Sequence, residues 1–152
     1  MTMRKAVLLD SGFLIRLMNP AEPLHQVALN YFRTFVNEGL ICKVSTIALA
    51  EYGVKGDLNY LPTVYLQYLP FNYSHAQTAA RFMRTILRVK RERGAIIQPR
   101  TVIPNDTKMF AQASSEKDII AFVSADSEAK KVFALLENPD FSFIDIRVGD
   151  TL

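Results

Sequence analysis

The run Lys5-Ala6-Val7-Leu8-Leu9-Asp10-Ser11-Gly12 limits what this chain can fold into more than any other segment. A short apolar strand runs straight into an acid, then into residues that permit a sharp turn. Continuous apolar runs of this length suit strands of a parallel sheet covered on both faces. Open sheets of that kind hold their ligands outside the carboxyl ends of the strands. Asp10 occupies such an end.

The pattern recurs along the chain. Residues 5–10 read as the first strand, and a short helix at 12–18 stops before Pro20. A second helix over 24–38 carries Leu24, Val27, Ala28, Tyr31, Phe32 and Phe35 on one face, with Gly39 past its end. Residues 40–44 read as a strand, Ser45 as the cap of a helix at 46–55, and 66–72 as a shorter strand. Ser74 and Gln77 have capping-box spacing for a helix from near His75 to about Arg93. A polar connector at 94–104 follows, bounded by Gly94 and Pro104. Asn105 or Asp106 can cap a helix at 106–115. A strand at 119–124, a helix at 127–137 and a closing strand at 141–146 complete the order. Helices between short apolar strands predict an α/β fold: a mainly parallel sheet of four to five strands with helices on both faces. At 152 residues the chain is expected to be one domain.

Three more acids share the placement of Asp10. Glu51 follows the run 40–44, Asp126 follows 119–124, and Asp106 opens the helix before that last strand. Magnesium and manganese prefer oxygen ligands. Carboxylates offset the charge of such an ion, and the positions left open take water and a phosphate oxygen. Asp10, Glu51 and Asp126 are therefore expected to bring their oxygens to one divalent ion, with Asp106 beside them. Each has a plainer role available. Asp106 and Asp126 can be helix caps, and Glu51 an exposed helix residue. Topology alone does not carry Asp106 to the same sheet edge.

Charge is unevenly spread. Residues 81–100 hold seven Arg or Lys against Glu92, whereas the whole chain is only +3. Arg81, Arg84, Arg88 and Arg91 share one helix face, opposite Ala79, Phe82, Met83 and Ile86. That stripe suits a polyanion, and Arg84, Arg88 and Arg91 are the candidate phosphate contacts. A solvated face is the competing reading. Cys42 lies in an apolar run and reads as a small buried hydrophobe. His25 and His75, the only histidines, read as surface or helix-terminal residues. There is no Cys/His zinc spacing, no glycine-rich phosphate loop and no serine nucleophile elbow. The tyrosines between 52 and 73 read as packing or interface residues. No leader pattern precedes the first strand and no apolar run has membrane-spanning length, so the expected location is the cytoplasm.

Five segments in this order resemble the PIN-domain family, in the small form found in VapC-like toxins. Leu8-Leu9-Asp10-Ser11 resembles its opening motif, and Glu22-Pro23-Leu24-His25 its acid-Pro-x-His step. Ser45-Thr46-Ile47-Ala48-Leu49-Ala50-Glu51 is similar to the segment with the second acid. Asn105-Asp106-Thr107 and Val123-Ser124-Ala125-Asp126 resemble those with the third and fourth. The resemblance spans nearly the whole chain, 1–152. It implies that Asp10, Glu51, Asp106 and Asp126 are the catalytic, metal-holding acids for Mg2+ or Mn2+. Ser124 is implied as a supporting hydroxyl, and Ser11 as a second hydroxyl or a shaper of the turn. It further implies an endoribonuclease, the toxin of a type II toxin–antitoxin pair, a homodimer, an RNA substrate and a small antitoxin in the cleft. Two features depart from the family. Glu128 and Ala129 stand where a second acid and an aromatic often follow, which leaves Glu128 an auxiliary. The connector 94–104 is longer than a minimal toxin needs. A catalytically silent PIN-like RNA-binding module is the main alternative. An aspartate-based phosphatase fits less well, because Gly12 occupies the place of its second Asp.

Overall fold

The computed structural model describes residues 2–97 and 102–152. The part of the expected connector at 98–101, with Arg100 of the basic segment, lies outside the described residues. Five strands form one parallel sheet: β1 (Ala6–Leu9), β2 (Ile41–Ser45), β3 (Leu66–Leu69), β4 (Ile119–Ser124) and β5 (Ser142–Asp145), in the order β3-β2-β1-β4-β5. All four strand pairs are parallel, as the helix-separated apolar runs predict. β1 is central and buried at every residue, so both of its faces are covered. Among the described residues the chain forms six helices: α1 (Ser11–Met18), α2 (His25–Asn37), α3 (Thr46–Gly53), α4 (Tyr73–Glu92), α5 (Asn105–Ser115) and α6 (Ser127–Phe133). α1 packs on α2 and α3, and α5 packs on α4 and α6.

The core is continuous around β1 and β4, with Phe13, Leu14, Phe110, Phe122 and Ile144 among its fully buried side chains. Phe110 packs edge-on against Phe122 at 4.9 Å between ring centroids, and Phe133, Phe141 and Phe143 extend the cluster. β2 carries one charge into the interior. Lys43 is buried there and meets Asp118 at 2.8 Å. An unpaired buried ammonium would be strongly destabilising, so the pair is needed where it stands. Cys42 is buried beside it, and burial pushes its thiol up to about 12, which makes it inert as a nucleophile.

Several boundaries differ from the sequence expectation, each for a local reason. β3 ends at Leu69 because Pro70 cannot extend a ladder. Residues 57–65 form two single 3-10 turns, Leu58–Tyr60 and Thr63–Tyr65. α4 starts at Tyr73, and its cap is Asn72 in place of the expected Ser74. The Asn72 side chain accepts from the His75 backbone N–H at 3.0 Å, and the Asn72 N–H donates to His75 Nδ1 at 3.1 Å. His75 is helix-terminal as expected but wholly buried, and its Nε2 donates to Glu116 at 2.9 Å. α5 is preceded by Pro104 with no side-chain cap, so neither Asn105 nor Asp106 fills that role. α6 ends at Phe133, earlier than the expected 137, and turns lead on to Asn138 with its positive φ of 45°. Among the described residues, no helix is long and apolar enough to cross a membrane.

Candidate active site

Each acid reaches the site by a separate element. Asp10 follows β1 at the carboxyl edge and caps α1, its Oδ1 accepting from the Phe13 N–H at 2.7 Å. Asp126 follows β4 at the neighbouring edge position and caps α6 through the Glu128 N–H at 2.8 Å. Glu51 lies on α3, which starts where β2 ends. Asp106 is the second residue of α5. That helix returns to feed β4 at its amino edge, so its own start lies at the carboxyl edge with the other acids. The topological difficulty over Asp106 disappears once α5 is seen to run against β4. Asp10, Ser11, Glu51, Asn105, Asp106 and Asp126 line one polar cleft of about 290 Å³.

Two hydroxyls tie the acids together. Ser124 Oγ donates to Asp10 Oδ2 and accepts from the Asp126 N–H at 2.9 Å. One buried serine therefore sets the position of two acid-bearing segments. Ser11 Oγ donates to Glu51 Oε1 at 3.4 Å. Asp126 is both a cap and a wall of the cleft, so the plain reading and the functional one coincide in a single residue. Glu128 is exposed, binds Lys131 at 3.0 Å and does not line the cleft.

Electrostatics mark the cleft as short of positive charge. Burial raises the Asp10 carboxyl to about 6, against the lowering effect of its bonds from Ser124 and Phe13, and the Asp126 charge raises it further. Burial also raises Asp106, with the Asp126 and Glu51 charges adding to the effect and the Thr107 bonds opposing it. Asp145 makes the contrast. It ends β5 at the same edge, but Arg147 and Lys130 bind it directly and hold it well below the usual carboxylate range. A fifth acid on this edge is thus paired directly with two cations, whereas among the described residues none of the four in the cleft has a cation within ion-pair distance, although the Arg16 charge lowers Asp10 somewhat.

The donors are carboxylate and hydroxyl oxygens, the chemistry that magnesium and manganese select. Their spacing is looser than expected. Among the described residues, no three acid, His or Cys side chains converge on one ion position. Asp10, Glu51 and Asp126 therefore do not form a direct three-carboxylate cage as the side chains lie. Magnesium needs no such cage, since it keeps several of its waters and takes one or two carboxylates directly. A cleft of this volume has room for a hydrated ion, so the residues fit one. Asp10, Glu51, Asp106 and Asp126, which line the cleft, are the residues that would hold it.

The arginine stripe lies apart from these acids. Arg84, Arg88 and Arg91 are exposed on α4, and none lines the cleft. Arg88 binds Glu137, with Glu92 3.9 Å away. Arg16 was not expected near the site, yet it borders Asp10. The signal that could have found it is its i+4 spacing from Gly12, because helical side chains lean toward the N-terminus.

Structural comparison decides the architecture. The chain superposes on VapBC2 of Rickettsia felis, solved bound to a promoter DNA fragment, with a TM-score of 0.58 over 92% of this chain and 98% of that one, at 16% identity. The fold is that of a VapC toxin. DNA-bound VapBC of Salmonella typhimurium gives 0.58 at 18% identity, covering 95% and 99% of the two chains. Mycobacterium tuberculosis VapC20, a toxin that cleaves the sarcin–ricin loop, gives 0.55 at 15% identity, covering 83% and 94%. No protein-family model matches the sequence, and no curated protein does. The fold is therefore matched in three dimensions at 15–18% identity, where no family model or curated protein matches.

Proposed function

We propose that this chain is a metal-dependent endoribonuclease acting as the toxin of a type II toxin–antitoxin pair. One observation carries the reading: four acids from four separate segments line one cleft at the carboxyl edge, while the fifth acid of that edge is neutralised by Arg147 and Lys130. The VapC fold supports the same conclusion. When bound, Mg2+ or Mn2+ supplies Lewis-acid polarisation of the phosphodiester and a water of lowered pKa. The protein's part is positioning. Ser124 and the Phe13 N–H fix both oxygens of Asp10, and the α6 cap fixes Asp126. Asp106, whose carboxyl burial raises above its ordinary value, lines the cleft as a carboxylate that could take the proton of the attacking water. Water oxygen bonds to phosphorus, one P–O ester bond breaks, and the departing ribose oxygen takes up a proton.

RNA is the substrate in this reading, held in part by Arg84 and Arg91. A small antitoxin, homodimer formation and a cytoplasmic location follow from the same assignment. The silent RNA-binding module remains a second reading, because the acids do not converge three to an ion. Mixed RNA incubated with the nuclease-free protein and Mg2+ separates them. Cleavage that is lost in EDTA and in Asp10→Asn supports the nuclease. Binding without cleavage in either metal replaces it with the silent module.

A further inference from the structure

A second polar cleft, about 320 Å³, shares Asp10, Ser11 and Asp126 with the acidic one and continues past them to Gly12, Arg16 and Ser127. Arg16 is half-buried, and its side chain runs back along α1 toward the sheet edge, where Nη1 donates to the Gly12 carbonyl at 3.0 Å. Among the described residues, no carboxylate lies within ion-pair distance of it. Its side chain also lines this second cleft. Gly12 leaves the guanidinium room: a β-carbon there would lie 3.0 Å from Arg16 Nη1 and 3.6 Å from Asp10 Oδ1, a tight contact that the flexible arginine end would have to relieve by a small shift. Ser127, an exposed residue, lines the same cleft.

We infer that Arg16 binds a backbone phosphate of the RNA strand, one position along from the phosphate that reacts at Asp10 and Asp126. This rests on the nuclease reading and adds a substrate-positioning residue to it. A planar guanidinium suits a phosphate through paired hydrogen bonds, and it is always charged. Its placement explains the joined clefts. The acidic half is hostile to a polyanion without its cation, and the half lined by Arg16 is not. A strand entering through Gly12 and Arg16 meets positive charge before it reaches the four acids. The stripe on α4 cannot do this, because its arginines lie outside both clefts.

The test measures RNA binding in the Asp10→Asn background, which the nuclease reading makes silent in cleavage. Fluorescence anisotropy follows a labelled single-stranded oligoribonucleotide of mixed sequence, with Mg2+ present, from about 50 to 200 mM salt. Adding Arg16→Gln should weaken binding about tenfold and flatten the log–log salt slope by about 0.7. Adding Arg16→Lys should keep the slope and lose only part of the affinity, which separates a phosphate contact from a role in holding α1. Unchanged affinity and slope in Arg16→Gln overturns the inference and leaves the nuclease reading intact. A slope lost equally in Arg16→Lys also overturns it. If the Asp10→Asn protein binds no RNA at any salt, the nuclease reading falls and this inference falls with it.

Discussion

Asp10→Asn offers a test in which stability and catalysis should move in opposite directions. Asp10 is buried, and its carboxyl rises from an ordinary 3.8 to about 6 in the folded chain. At about 1.36 kcal/mol per pKa unit, ionising it in the folded state costs about 3 kcal/mol more than in the unfolded state. Because the folded value is the higher one, this stability is fully present below pH 3.8 and is lost as pH rises through about 6. Asparagine keeps the oxygen that accepts from the Phe13 N–H and removes the charge. In EDTA at pH 8 the variant should therefore be about 2–3 kcal/mol more stable than the native chain, raising Tm by about 4–12 °C for a domain of this size. At pH 4 the gain should nearly vanish. Urea and thermal melts at the two pH values measure it directly. Equal stability at pH 8, or a gain that does not depend on pH, would refute the claim that burial and like charge strain this site. The same protein should have lost magnesium-dependent RNA cleavage.

Other outcomes follow from the same geometry. Magnesium at a hundredfold excess over its Kd should stabilise the native chain by about 2.7 kcal/mol and Asp10→Asn by much less, as read by calorimetry; equal shifts would place the ion elsewhere. Arg84→Gln and Arg91→Gln should each flatten the salt slope of RNA binding by about 0.7, whereas Arg88→Gln should change it less, because Arg88 is already bound to Glu137. Slopes matching the native chain would make the stripe a solvated face. Asn72→Ala should cost about 1–2 kcal/mol in urea unfolding through loss of the α4 cap, and a neutral effect would mean that the capping box carries no stability.

The order of strands and helices was readable because β1, β2 and β4 are apolar runs too short for helices, and each is followed by a 3.6-residue period. Strand ends were less readable where one residue decides the outcome, as Pro70 does for β3. The cap of α4 was missed because a histidine ring nitrogen took the part that Glu or Gln usually plays. Asp10, Glu51, Asp106 and Asp126 could be named from their places beside strands and helix starts. Their spread across the cleft could not, since sequence position fixes the edge a side chain reaches but not the last few ångströms. Arg16 stayed hidden for a different reason. Its i+4 spacing from Gly12 was the one signal available, and the lean of its side chain back over Gly12 is what brings it to the acids.

The central position of β1 has a consequence for how the protein comes into being. The first strand made must wait for β4, and Ser124, which grips Asp10, lies 114 residues further along. At about 5–20 residues per second, the ribosome needs roughly 6–23 s to bridge that interval. During that time Asp10 and Glu51 exist without their partners, and no cleft can close around them. A chain released early by a truncated message would carry half of the acids and none of the pocket. If the nuclease reading holds, the cell making this protein is exposed to its activity only after Ser124 and Asp126 have left the ribosome.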